Sequence, residues 1–234
     1  MNARFTYPLV MILGLAFATP VFAQSSTKTT VNELTAEEKE SGYTLLFDGK
    51  SFQGWNGNLD VFRIEDGAIV GGSMDQPVAR NEFLRSDKEY SDFELRLQFK
   101  LVGEGSNAGI QFRTAPIPDH HEVSGYQADM GNGWWGCLYD ESRRNRILAG
   151  PEPPQRDALV KQEKWNDYRI RCQGNHIQLW INGQQTVDYI EKDKDIAAKG
   201  IIAVQIHGGP AAEAFYRNIR LLELQDGKKG DDAK

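Results

Sequence analysis

The chain has 234 residues, 40% of them hydrophobic and 26% charged, which is enough to bury a sizeable core in a single domain. Its formal net charge of −6 comes without any Lys/Arg stripe, which argues against nucleic-acid binding. Cys137 and Cys172 are too few for a disulfide scaffold, and whether they pair in an oxidising compartment is left open.

Residues 1–23 read as a signal peptide: Arg4 is the only charge, an apolar run extends from Leu9 to Phe17, Pro20 breaks it, and Val21-Phe22-Ala23 predicts cleavage after Ala23. The destination is then the periplasm or the exterior. No later segment approaches the roughly 20 apolar residues of a membrane span, so no membrane association is expected after cleavage. Residues 24–40 form a polar linker that leads into a helix start, because Thr35-Ala36-Glu37-Glu38 matches a capping box.

From residue 41 to 224 the pattern is that of strands. Phe93, Leu95, Leu97, Phe99 and Leu101 alternate with polar residues, as do Ile177, Leu179 and Ile181, and Asn182-Gly183 predicts a hairpin into Gln185–Tyr189. Further candidates are 43–47, 62–65, 68–71, 81–85, 109–113, 125–130, 165–172, 200–207 and 215–224. Many short strands with Gly-rich turns and no sustained helical period predict an all-β fold, an antiparallel β-sandwich of jelly-roll type. The charged tail 225–234 is expected to be disordered.

Between Gly125 and Arg144, two tryptophans and two tyrosines stand among Asp129, Asp140, Glu141, Arg143 and Arg144. Aromatic faces beside carboxylates and guanidinium groups suit a sugar, whose C–H faces stack while its hydroxyls take hydrogen bonds; they also suit an ordinary core edge. Gln111 with Arg113, Gln127 with Asp129, and Gln205 with His207 each share a strand face by the period of two. If the strands are neighbours, these pairs open onto one sheet surface, with Glu141 reaching it from a following loop. His207, before Gly208-Gly209, suits a general base, a metal ligand or a hydrogen-bonded edge residue.

Conventional hydrolase signatures are missing. There is no nucleophile elbow, and Glu191-Lys192-Asp193-Lys194-Asp195 reads as a solvated loop rather than a glucanase carboxylate pair. No His or Cys spacing marks a metal site, although carboxylates and carbonyls leave a divalent metal ion open.

Leu45-Leu46-Phe47-Asp48-Gly49-Lys50-Ser51 with Gly54-Trp55, Gly67-Ala68-Ile69-Val70-Gly71-Gly72, and Asp92-Phe93-Glu94-Leu95-Arg96-Leu97 resemble the 3-keto-disaccharide hydrolase domain family. The likeness continues in order through Asn107-Ala108-Gly109-Ile110, Gly125-Tyr126-Gln127-Ala128-Asp129, Leu138-Tyr139-Asp140-Glu141, Trp180-Ile181-Asn182-Gly183 and Phe215-Tyr216-Arg217-Asn218-Ile219, over about residues 41–224. It implies a concanavalin A-like jelly roll acting on small carbohydrates oxidised to the ketone at C3, by hydrolysis or by a 1,2-lyase step followed by hydration. A C3 ketone acidifies the C2 proton, so a base can form an enolate that expels the C1 substituent.

Side-chain chemistry and strand alternation then suggest roles. His207 or Asp129 is expected as the base, Glu141 as the leaving-group acid, and Arg113 at the enolate oxygen, with a divalent metal as an open helper. Gln111, Tyr126, Gln127, Trp135, Tyr139, Arg143 and Gln205 are expected to bind hydroxyls or stack on the ring. The competing reading is a non-catalytic carbohydrate-binding module, for which the same fold and aromatics suffice. The sequence does not set the oligomeric state.

Overall fold

A computed structural model describes residues 30–225. The expected signal peptide, linker residues 24–29 and tail residues 226–234 lie outside the described residues. At the start of the domain, the Thr35 hydroxyl accepts from the Glu38 amide at 3.1 Å and the Glu38 carboxylate accepts from the Thr35 amide at 3.0 Å, closing the expected capping box. Helix α1 (Ala36–Glu40) follows from it.

The strands come in chain order as β1 (Thr44–Leu45), β2 (Trp55–Asn56), β3 (Phe62–Glu65), β4 (Ala68–Ser73), β5 (Glu82–Tyr90), β6 (Phe93–Val102), β7 (Asn107–Pro116), β8 (Val123–Gly131), β9 (Leu138–Glu141) and β10 (Ile147–Ala149). A short helix α2 (Pro153–Arg156) and a 3-10 turn (Asp157–Leu159) intervene. Then come β11 (Asn166–Gln173), β12 (His176–Ile181), β13 (Gln184–Ile190), β14 (Gly200–Ile206) and β15 (Ala212–Glu223). One sheet has the order β13-β12-β11-β6-β15-β4-β3, with β1 also on β15, and the other has the order β10-β9-β8-β7-β14-β5-β2. Every pairing between these strands is antiparallel, so the fold is the β-sandwich that the alternation predicts.

Period-two burial explains how the two layers adhere. Phe93, Leu95, Leu97, Phe99 and Leu101 of β6 all point inward, against a shared core that includes Ala108, Ile110 and Phe112 of β7 and Val204 and Ile206 of β14. Asn182 and Gly183 both adopt left-handed backbone (φ 50° and 81°), the geometry of the tight hairpin turn that joins β12 to β13. Cys137 and Cys172 are both buried and free, so they do not pair.

Glu191 departs from its solvated reading. It is buried, where it accepts from the Tyr126 hydroxyl at 2.6 Å and from Arg144 Nη2 at 2.7 Å. The ion pair and phenol supply the partners that water would otherwise provide. Burial still acts against its charge, but these partners outweigh it and hold its carboxyl down at about 2.

Candidate active site on the outer face of the second sheet

β14, β7, β8 and β9 lie side by side in the second sheet, so residues of equal register form rows across it. Gln205 pairs with Gly109, and Gly109 with Asp129. In the next row Gln111 pairs with Gln127, and Gln127 with Tyr139; beyond it, Gly125 pairs with Glu141. Since Val204, Ile206, Ile110, Ala128 and Leu138 face the core, these alternating residues face outward. They border a cleft of about 310 Å³ lined by Gly105, Asn107, Gln127, Asp129, Trp134, Tyr139, Glu141, His207 and Gly208. That is the size of a site for a small ligand. Glu141 arrives as the last residue of strand β9 rather than on a loop, which fixes its direction.

The floor of the cleft is a chain of amides. Gln111 Nε2 donates to Gln127 Oε1, and Gln127 Nε2 donates to Asp129 Oδ1 at 2.6 Å. Gly109 makes room for this, because a Cβ there would lie 2.5 Å from Gln127 Cδ. Burial holds the proton of Asp129 well above the usual carboxylate range, and the charge of Glu141 adds to that; the Gln127 bond opposes it. Glu141 is itself pushed up to about 7, first by burial and then by the charge of Glu122. His207, one residue past β14, is exposed; its Nδ1 lies 2.6 Å from the Gly208 carbonyl, and its amide donates to Asn107 O at 3.1 Å.

The wall of the cleft is the turn after β8. The Gly133 amide donates to Asp157 Oδ1 at 3.2 Å, and Arg156 Nε donates to Pro151 O at 2.9 Å while its Nη1 reaches Gly133 O, so α2 and the 3-10 turn brace it. Trp134 projects from this turn with 39% of its surface exposed and meets Tyr139 edge-on, with ring centroids 5.8 Å apart.

The structure thus brings Asp129, Glu141, His207, Gln127 and Tyr139 to one cleft, with Gln111 and Gln205 buried in the same face. Four expected residues are elsewhere. Arg113 sits at a break in the β7–β8 register with φ 46°, which turns its side chain away from that of Gln111. Its guanidinium donates to Ser91 O (2.8 Å), Gly174 O (2.7 Å) and Asp92 Oδ1 (2.8 Å), tying the second sheet to turns of the first. Tyr126 is one residue out of phase with Gln127, so it faces the core and stacks on Phe112. Arg143 lies over the Tyr126 ring and donates from Nε to Asp140 Oδ1 at 2.8 Å, behind the sheet. Trp135 is only 3% exposed and stacks on Phe99, while its neighbour Trp134 takes the cleft. Asn107 and Trp134 are the cleft residues that sequence reasoning missed. Asn107 could have been found by extending the 109–111 alternation back one step, whereas nothing in a turn fixes which of two adjacent tryptophans points outward. Among the described residues, no group of three or more His, Cys, Asp or Glu is placed to hold a metal ion.

A two-sheet antiparallel sandwich with a polar cleft on one outer face is an architecture shared by lectin domains and other jelly-roll proteins. The chain belongs to the family of the 3-keto-alpha-glucoside-1,2-lyase-like domain, whose model matches residues 42–222. It is 30% identical over 122 residues to a 3-keto-disaccharide hydrolase of Bacteroides thetaiotaomicron, an alignment that spans 48% of this chain and 39% of that protein. Among solved structures, a Parabacteroides distasonis ATCC 8503 protein proposed to be a glycosyl hydrolase superposes with a TM-score of 0.62 at 22% identity, covering 84% of this chain and all of that one. The carbohydrate-binding module CBM66 of Bacillus subtilis superposes with a TM-score of 0.54 at 15% identity, covering 71% of this chain and 94% of that one. Likenesses at these identities show the fold alone.

Proposed function

We propose that this protein cleaves 3-keto-glycosides in the cleft by removing the C2 proton, expelling the C1 substituent and hydrating the product, a net hydrolysis carried out in the periplasm or outside the cell. The observation that carries the reading is the convergence of His207, Glu141 and a buried Asp129 on one small cleft, in a chain of this family. A module that only binds sugar has no use for two carboxyls that burial shifts upward together.

The chemistry divides among them as follows. The Nδ1–H of His207 donates to the Gly208 carbonyl, which leaves Nε2 free to accept the C2 proton. Glu141, raised to about 7, is placed to protonate the leaving oxygen at C1. With Arg113 removed from the face, the electrophile for the C3 enolate oxygen is the carboxyl of Asp129, which burial biases toward its protonated, hydrogen-bond-donating form. Asn107, Gln127 and Tyr139 can take sugar hydroxyls, and Trp134 offers a ring face.

Incubation with 3-keto-trehalose, 3-keto-lactose and the unoxidised sugars tests this. The expected result is release of the C1 substituent from the keto sugars alone, slowed on the order of 10²–10⁴ in His207→Ala. Equal turnover of the parent sugars would point to ordinary glycoside hydrolysis instead.

A further inference from the structure

The roles above make no use of Glu122 and give no partner to Gln205. Glu122 immediately precedes β8. Its Oε1 accepts from Asn81 Nδ2 at 3.1 Å and lies 3.5 Å from His121 Nε2, while its Oε2 is buried with no protein partner. Asn81 Oδ1 accepts in turn from the Gly208 amide at 2.9 Å, which ties Glu122 to the segment carrying His207. Gln205 is fully buried on the outer face of β14, and neither its Nε2 nor its Oε1 has a protein partner.

These orphaned groups lie behind the edge of the cleft formed by His207 and Gly208. Phe83 is the register partner of Gln205, and Asn81 lies two residues before it, so Asn81 and Phe83 point to the same side. Val123, next to Glu122, packs with Phe83 and with Ala203, which stands two residues before Gln205 on the same side. Asn81 thus holds the Glu122 carboxylate on the side of the sheet that the Gln205 amide also faces. Between Gln205 and Asp129 lies Gly109, and the Gln127 side chain is laid over it. The charge of Glu122 also contributes to the upward shift of Glu141. A buried carboxylate oxygen and a buried primary amide left without protein partners are costly, and folded proteins match such groups with a ligand or an ordered water.

We propose that Glu122 and Gln205 bind and activate the water that hydrates the unsaturated intermediate, Gln205 Nε2 donating to the water oxygen and Glu122 Oε2 accepting its proton. This rests on the elimination reading above, which produces a 2-hydroxy-3-keto-glucal with a double bond between C1 and C2. In the step itself the water oxygen forms a bond to C1, its proton passes to Glu122, the C1–C2 π electrons move toward the C3 carbonyl as an enolate, and His207, exposed and therefore re-equilibrated with solvent protons between the two steps, delivers a solvent-derived proton to C2. Glu122 then gives its proton to solvent. No oxidant or reductant is needed, and the atoms added are those of one water.

The test uses the full chain with Glu122→Gln and Gln205→Leu. Release of the C1 substituent from a 3-keto-glycoside is followed separately from formation of the hydrated 3-keto sugar, and 2-hydroxy-3-keto-glucal is also supplied directly. At a pH low enough to keep Glu141 protonated with or without the charge of Glu122, both variants should release the leaving group within about threefold of the wild type, and Glu122→Gln should hydrate the glucal on the order of 10²-fold more slowly, so that the unsaturated sugar accumulates. Wild-type hydration in the variants, or equal loss of both steps in variants with native circular dichroism, would overturn the proposal. The elimination reading fails differently, by wild-type protein that releases nothing from the keto-glycoside; hydration of the supplied glucal still judges Glu122 in that case. A crystal structure of the wild type should show a water within hydrogen-bond distance of Glu122 Oε2 and the Gln205 amide. Direct contact between the two side chains would count against it.

Discussion

Adjacent residues in this protein can have opposite fates, and the cleft depends on which is which. Trp134 and Trp135 are chemically identical, yet one is the exposed wall of the cleft and the other packs on Phe99 in the core. Trp134→Ala should raise KM by about tenfold with little change in melting temperature, the loss of one ring face. Trp135→Ala should cost about 3–5 kcal/mol in urea unfolding, as a large buried side chain does. Arg113 gives a second contrast. Its three hydrogen bonds stitch the sheets together, so Arg113→Ala should destabilise by about 3 kcal/mol while the folded fraction keeps wild-type kcat/KM. A large loss of activity in stable Arg113→Ala protein would restore it to the site. Asp129 and Gln127 were legible in the sequence because a regular strand fixes their parity, and His207 because it continues the period of β14 by one residue. Arg113 was not, because a backbone break with positive φ leaves no mark on an Arg.

Among the elements, legibility followed length. β6, β11 and β12 carry long alternations, and the Asn182-Gly183 turn announces its own hairpin. Asn182 also donates from its amide to Leu159 O at 2.9 Å and Asn166 Oδ1 at 2.8 Å, and accepts from the Asp167 amide at 3.0 Å. Asn182→Ala should therefore cost about 2 kcal/mol, read as a lower urea midpoint at unchanged slope. β2, β9 and β10 have only two to four residues each, too few for a period to show. That shortness hid the element that matters most to the site, since β9 sends Tyr139 and Glu141 outward and Leu138 and Asp140 inward. The resemblance to a family indicated the substrate class, but only the β8–β9 register puts Glu141 opposite Gly125, on the same face as Asp129.

At the scale of the whole molecule, the cleft is held at some cost to stability. Burial raises Glu141 from an ordinary 4.5 to about 7, so between those values the folded protein binds a proton that the unfolded chain releases. Stability contributed by this group is accordingly present at low pH and is lost as pH rises from about 4.5 to about 7. Glu141→Gln should leave the melting temperature unchanged at pH 4 and raise it by roughly 7–14 °C at pH 8, the shift expected of about 3 kcal/mol in a domain of this size. Activity should follow the same group, because the proposed leaving-group acid must hold its proton: the rate should fall as pH rises through about 7.

The central claim is that bond cleavage begins with loss of the C2 proton. The most direct measurement is turnover of an unlabelled 3-keto-glycoside in deuterated water, with the released 3-keto sugar examined by NMR at C2. Elimination followed by hydration predicts deuterium at C2 of the product, placed there when C2 is reprotonated, and a slower reaction for substrate carrying deuterium at C2 if that transfer limits the rate. Product formed at full rate in deuterated water with C2 still carrying its original hydrogen would contradict the account.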